Sequence, residues 1–147
     1  MRRCFVDTNV FLYARGGEHP YREPCRTVLR AARDGRIALD ASVEVVQEFA
    51  HVLLRRGLRR EDTIEEATEV RAQCQMHDFD TGVLSETLRL LRRHPDLDVR
   101  DAVHAATVLR ADVNEIISVD VAFDAVDGVR RLDPIGLADH LTTEPDG

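Results

Sequence analysis

Four acidic side chains stand where they could share one piece of chemistry. Asp7 directly follows the apolar run Cys4-Phe5-Val6, and Asp120 follows Ile116-Ile117-Ser118-Val119. Asp101 lies in the amphipathic stretch after Asp98, and Glu48 sits beside Val45 and Val52 at the border of another apolar stripe. Gathered together they are oxygen-only donors, the preference of a hard cation such as Mg²⁺ or Mn²⁺. Such an ion would also offset the repulsion among the carboxylates. Each acid has a plain structural reading as well: Asp is common where a strand ends in a turn, and Glu48 by residue type is a solvated helix glutamate. Successive helical residues lie about 100° apart, which puts Asp101 within the arc of Ala102, Ala105, Val108 and Leu109, on the core side. A carboxylate there must be paired, protonated or bound to a cation; the alternative is an ordinary first-turn acid complementing the helix dipole. His104, one turn later, reads as a buried neighbour of the acids and not as a general base. His19, His51 and His77 share no metal-ligand spacing.

Composition narrows the chemistry further. All 20 basic residues are arginine, so a P-loop, which needs its lysine on the phosphates, and a pyridoxal enzyme, which needs a Schiff-base lysine, both drop out. A net charge of −7 argues against a general nucleic-acid coat. Any RNA contact must be local, for which Arg55, Arg56, Arg59 and Arg60, or Arg89, Arg92 and Arg93, are candidates; a solvated helix surface is the other reading of both clusters. Cys4, Cys25 and Cys74 are odd in number and widely spaced, which reads as reduced, buried thiols. Neither a secretory leader nor a membrane span is legible, so the expected location is cytoplasmic.

The elements that must position these acids follow from periodicity. With 44% hydrophobic and 32% charged residues over 147 positions, the chain suits one globular domain. Short apolar runs at Cys4–Val6, 37–39, 76–79, 116–119 and 129–132 read as strands. Helices are expected over 21–33, 43–56, 61–75, 81–93 and 99–111, with a small one over 135–141. Ser42 and Asp98 supply N-cap oxygens, and Gly35 and Gly57 stop the preceding helices. Alternating strands and helices imply an α/β fold: three layers, α/β/α, around a mainly parallel sheet, with ligands bound beyond the carboxyl ends of the strands. Asp7 and Asp120 both fall at such ends. The domain is expected to span residues 1–141, with 142–147 a polar, frayed tail.

Four blocks resemble the PIN-domain family, and most closely its VapC-type toxins: Phe5-Val6-Asp7-Thr8-Asn9-Val10, Val46-Gln47-Glu48-Phe49, Arg100-Asp101-Ala102-Val103-His104-Ala105-Ala106, and Ile117-Ser118-Val119-Asp120 with Phe123-Asp124. Their order and spacing match as a set, and Gly128 to Pro134 looks like the family's closing strand. The resemblance implies a magnesium-dependent endoribonuclease, with Mn²⁺ able to substitute. Asp7, Glu48, Asp101 and Asp120 would be its catalytic acids, and Asp7, Asp101 and Asp120 its metal ligands. Thr8, Asn9 and Asp124 would be accessory: Thr8 through its hydroxyl, Asn9 by tying down the turn, Asp124 as a further acid. Asp98 reads as the helix cap, not the ligand. Further implications are in-line attack of a metal-activated water on the phosphodiester, a homodimer, and a VapB-type antitoxin placing a cationic side chain or extended segment near the acids. A DNA nuclease on the same fold and a non-catalytic PIN-like binding subunit are the alternatives.

Overall fold

Main-chain pairing, more than the hydrophobicity of any one segment, decides where the strands lie. In the computed structural model, which describes residues 1–143, the strands are β1 (Arg3–Val6), β2 (Ala38–Ser42), β3 (Cys74–His77), β4 (Glu115–Ile117) and β5 (Arg130–Leu132). They form one sheet in the order β3-β2-β1-β4-β5, parallel at every pairing. β3 begins two residues before the expected 76–79 because Cys74 and Gln75 pair with Leu39 and Asp40. β2 likewise runs past Leu39 through Asp40, a fully buried carboxylate that looks like a turn residue in sequence. Arg3 and His77 satisfy it, at 2.5 and 2.6 Å from Oδ2, so its charge is paired within the sheet.

Helices α1 (Thr8–Arg15) and α2 (Arg22–Arg33) cross from β1 to β2, and α3 (Val43–Arg55) and α4 (Arg60–Gln73) from β2 to β3. α5 (Thr81–Arg93) and α6 (Val99–Ala111) then return the chain to β4, and a 3-10 turn (Val121–Ala125) and α7 (Pro134–Thr143) flank β5. α5 packs on α6 and α2 on α7, giving the three-layer α/β/α arrangement. Phe5 meets the His104 ring of α6 at 5.9 Å, while Cys4 and Val6, on the opposite face of the strand, enter the other half of the core. Both faces of the central strands are therefore apolar, and β1 and β4 carry fully buried Phe5, Val6, Ile116 and Ile117. Burial of each such side chain contributes about 1.5–3 kcal/mol.

The caps fall where the sequence places them. Ser42 accepts from the Val45 amide at 3.2 Å and Asp98 Oδ1 from the Asp101 amide at 2.8 Å. Gly35 and Gly57 have φ of 76° and 88°, the left-handed region that glycine enters without strain. α7 continues to Thr143, so residues 142 and 143 are helical, and the rest of the expected tail lies outside the described residues. Cys4 and Cys25 are buried as expected, whereas Cys74 is only half-buried. No described helix is long and apolar enough to cross a membrane.

Candidate active site

β1 is flanked by β2, reached by the first crossover, and by β4, reached by the third. The chain reverses its direction of winding between them, and the crevice beyond the carboxyl ends of two such strands is where open α/β sheets bind ligands. Asp7 emerges from β1 at that point, its amide still held by the Ile117 carbonyl of β4 at 3.0 Å. Its carboxylate caps α1: Oδ1 accepts from the Thr8 amide at 2.7 Å. Oδ2 accepts from the Ser118 hydroxyl at 2.7 Å and from Asn9 Nδ2 at 3.2 Å. Asn9 Nδ2 also reaches Ser118 Oγ at 3.2 Å, so Asn9 does tie down the turn after β1.

Glu48 comes from the second turn of α3. Thr8 Oγ1 donates to its Oε2 at 3.0 Å, and Arg100 Nη1 to its Oε1 at 3.1 Å. His104 lies between the acids: its Nε2 is 3.7 Å from both Asp7 Oδ1 and Glu48 Oε2. The ring is buried, and its Nδ1 has no partner among the described residues. Asp120 caps the 3-10 turn through the Ala122 amide at 2.9 Å, while its own amide donates to Ser118 Oγ at 3.0 Å.

The electrostatics separate these groups. Burial raises the Asp7 carboxyl above its ordinary value, outweighing His104, Ser118 and the Thr8 amide, all of which lower it. Contact with His104 holds Glu48 below the usual carboxylate range against the effect of partial burial, and Thr8 and Arg100 add to it. His104 itself is pushed down by burial but pulled up further by Glu48 and Asp7, and ends raised. Asp101 is pushed up to about 7, first by burial and then by Asp120, with Asp98 and Asp7 contributing. Asp101 is thus the half-buried, core-side acid that its helical phase indicates, lodged against Asp120 and within the field of Asp7.

Asp7 and Glu48 thus flank His104, and Asp101 lies against Asp120 within the field of Asp7. Among the described residues no three Asp, Glu, His or Cys side chains form a ready-made ligand set: Asp7 and Glu48 spend their oxygens on neighbouring donors. The donor chemistry is that of a hard cation, because Asp7, Asp101 and Asp120 offer only oxygens and Asp101 lies within the field of the other two. Asp124 is not drawn in. It is exposed and held by Arg131 Nε and Nη2 at 2.9 and 3.2 Å, and Arg131 in turn donates to the Ser118 carbonyl at 3.1 Å. Among the arginines of the two clusters, Arg56 lines a cavity beside Asn9, whereas Arg89 is taken by Glu86.

Sequence reasoning passes over two residues here. Ser118 and Arg100 both stand inside the motif blocks, two and one positions from Asp120 and Asp101. Their partners, Asp7 and Glu48, lie 111 and 52 residues away, and periodicity carries no information about contacts at that range.

The sequence profile of the PIN domain matches residues 4–129. The ribonuclease VapC7 of Mycobacterium tuberculosis is 35% identical over 130 residues, 88% of this chain and 90% of that protein. Among solved structures, a toxin–antitoxin complex from Klebsiella pneumoniae superimposes with a TM-score of 0.67 at 14% identity, covering 89% of this chain and 97% of that one. VapC20 of Mycobacterium tuberculosis, a sarcin-ricin loop cleaving toxin, gives 0.66 at 17% identity, covering 86% and 98%. Those two likenesses concern the fold. The profile and the VapC7 identity both extend over most of the chain, and the profile spans both Asp7 and Asp120; on that ground the chain belongs to the PIN domain family, as a VapC-type ribonuclease.

Proposed function

We propose that this chain is the toxin of a toxin–antitoxin pair, a divalent-metal-dependent endoribonuclease whose catalytic acids are Asp7, Glu48, Asp101 and Asp120. The observation that carries the reading is that Asp7, at the β1/β4 switch point, and Glu48 flank His104 while Asp101 lies against Asp120, in a chain 35% identical to a ribonuclease. Asp7, Asp101 and Asp120 would hold Mg²⁺ or Mn²⁺, which when bound supplies a Lewis acid that activates water and neutralises charge on the phosphodiester.

The protein's own part is positioning and proton handling. Ser118 and Asn9 fix the Asp7 carboxylate on one side, and the Thr8 amide fixes it on the other. Thr8 Oγ1 and Arg100 hold Glu48 in one orientation. Glu48, held below the usual carboxylate range by its contact with His104, would accept the proton of an attacking water. Asp124 acts from outside, steadying Arg131 against the carbonyl of Ser118. The chain is expected to pair with itself and to be silenced by a VapB-type antitoxin; the Klebsiella fold relative is a toxin–antitoxin complex.

The test is digestion of RNA and DNA side by side by antitoxin-free protein, with Mg²⁺ and with EDTA, and with Asp7→Asn as control. Mg²⁺-dependent cleavage of RNA that Asp7→Asn loses is the expected result. Preferential cleavage of DNA would move the assignment to a DNA nuclease, and equal RNA cleavage by the variant would remove the proposed site.

A further inference from the structure

A cavity of about 460 Å³ opens beside the acids and shares a wall with them, since Glu48 and His104 line both. Its size is ordinary for a site that takes a small flat group. Phe79, in the loop between β3 and α5, and Val99, at the start of α6, face it with 40% and 60% of their surfaces exposed, and Val103 completes the apolar side. Glu44 and Gln47 of α3 form the polar side. Arg100 is paired with Glu48 at 3.1 Å, so Glu44 leaves the wall with a net negative charge that disfavours a phosphate. An uncharged ring with apolar faces and N–H groups at its edge meets no such penalty and finds acceptors in the wall.

We propose that this cavity receives the unpaired base of the nucleotide adjoining the scissile phosphate, stacked on Phe79 and donating an amino hydrogen to Glu44. The inference rests on the RNA-cleaving reading and deepens it by adding a base-recognition subsite. Single-stranded RNA is read in this way, by stacking splayed bases on aromatic side chains and hydrogen-bonding their edges. An ionised carboxylate accepts and does not donate, so Glu44 favours cytosine, adenine or guanine, each of which carries an exocyclic amino group, over uracil.

The experiment uses a single-stranded RNA oligonucleotide cleaved by the protein in Mg²⁺, with the cut mapped and an abasic unit then placed on either side of it. At one of the two positions the abasic unit is expected to lower kcat/KM about 5- to 150-fold, the range for losing one stacked base. Phe79→Ala should impose the same loss on intact RNA and little more on the abasic substrate, Phe79→Trp should restore cleavage, and Glu44→Gln should erase the discrimination against uracil. If wild-type protein cleaves but neither abasic position matters, the subsite is refuted while the ribonuclease stands. If Phe79→Ala spares RNA cleavage and weakens inhibition by an antitoxin, the cavity belongs to a protein side chain and the proposal falls. Failure to cleave any RNA removes both readings.

Discussion

Ser118 donates its hydroxyl to Asp7 Oδ2 across 2.7 Å, joining the carboxyl-terminal tips of two adjacent strands from opposite ends of the chain. Ser118 Oγ also accepts from Asn9 Nδ2 and from the Asp120 amide. One buried serine thus sets the spacing between the first and last of the proposed catalytic acids.

Ser118→Ala should be costly in two ways. A hydrogen bond to a charged group is worth about 1.5–3 kcal/mol when lost, and urea unfolding should show a loss of that size. Cleavage should fall through kcat more than KM, because Ser118 positions Asp7 without touching substrate. Unchanged stability together with unchanged kcat would show that the serine organises nothing.

Asp7→Asn should separate activity from stability. The amide keeps an acceptor for Ser118, and it removes a buried charge whose environment disfavours ionisation. RNA cleavage should drop to the EDTA background and Mg²⁺ affinity by calorimetry should fall, while Tm at pH 7 is retained or raised because a buried charge is removed. A marked drop in Tm would mean that the carboxylate is structural first.

Arg2 grips Glu115 with two bonds of 3.0 Å each, clasping the start of β1 to β4. The Arg2 hydrogen bonds hold the Glu115 carboxyl below its ordinary 4.5. Its contribution is therefore complete above pH 4.5 and is lost as pH falls through the lowered folded value. Being partly exposed, the pair is worth at most about 1 kcal/mol. Wild type and Glu115→Gln should differ by that much in urea at pH 7 and converge toward pH 3; a constant gap across this range would contradict the ion-pair account.

The three cysteines should be inert in the folded protein. Burial pushes the thiols of Cys4, Cys25 and Cys74 up to about 11, 12 and 12, so almost no thiolate exists at neutral pH. A disulfide reagent at pH 7.5 should label them over hours in native protein and within minutes in guanidinium, Cys74 first because it is half-buried. Rapid labelling of Cys25 without denaturant would show that α2 opens readily.

Local chemistry in the sequence was enough for much of this architecture. Ser42 and Asp98 announce the starts of α3 and α6 because an N-cap needs only a short polar side chain and the next turn of helix. Gly35 and Gly57 announce helix ends because the left-handed turn is a property of single residues. Asp7 could be placed at a strand tip and Asp101 on an inward helical face, since periods of 2 and 3.6 are local, whereas β4 ends at Ile117 and Asp120, expected at its tip, caps the 3-10 turn three residues on. α1 was less legible: Thr8 to Arg15 is short, and after Asp7 it reads equally as loop or helix.

The sequence by itself determined which acids were available, which elements carried them and the family those blocks resemble. Only the tertiary structure decided that β4 lies beside β1, that Ser118 joins Thr8 and Asn9 in holding Asp7, that Arg100 crosses to Glu48, and that Asp124 turns away to Arg131. It also decided that Asp40, outwardly a turn residue, sits inside β2 between Arg3 and His77. The reason is one of range: propensity and periodicity act within a few residues, whereas these pairings close over 37 to 111 residues for Asp40, Glu48 and Asp7 and exist only once the sheet has chosen its strand order.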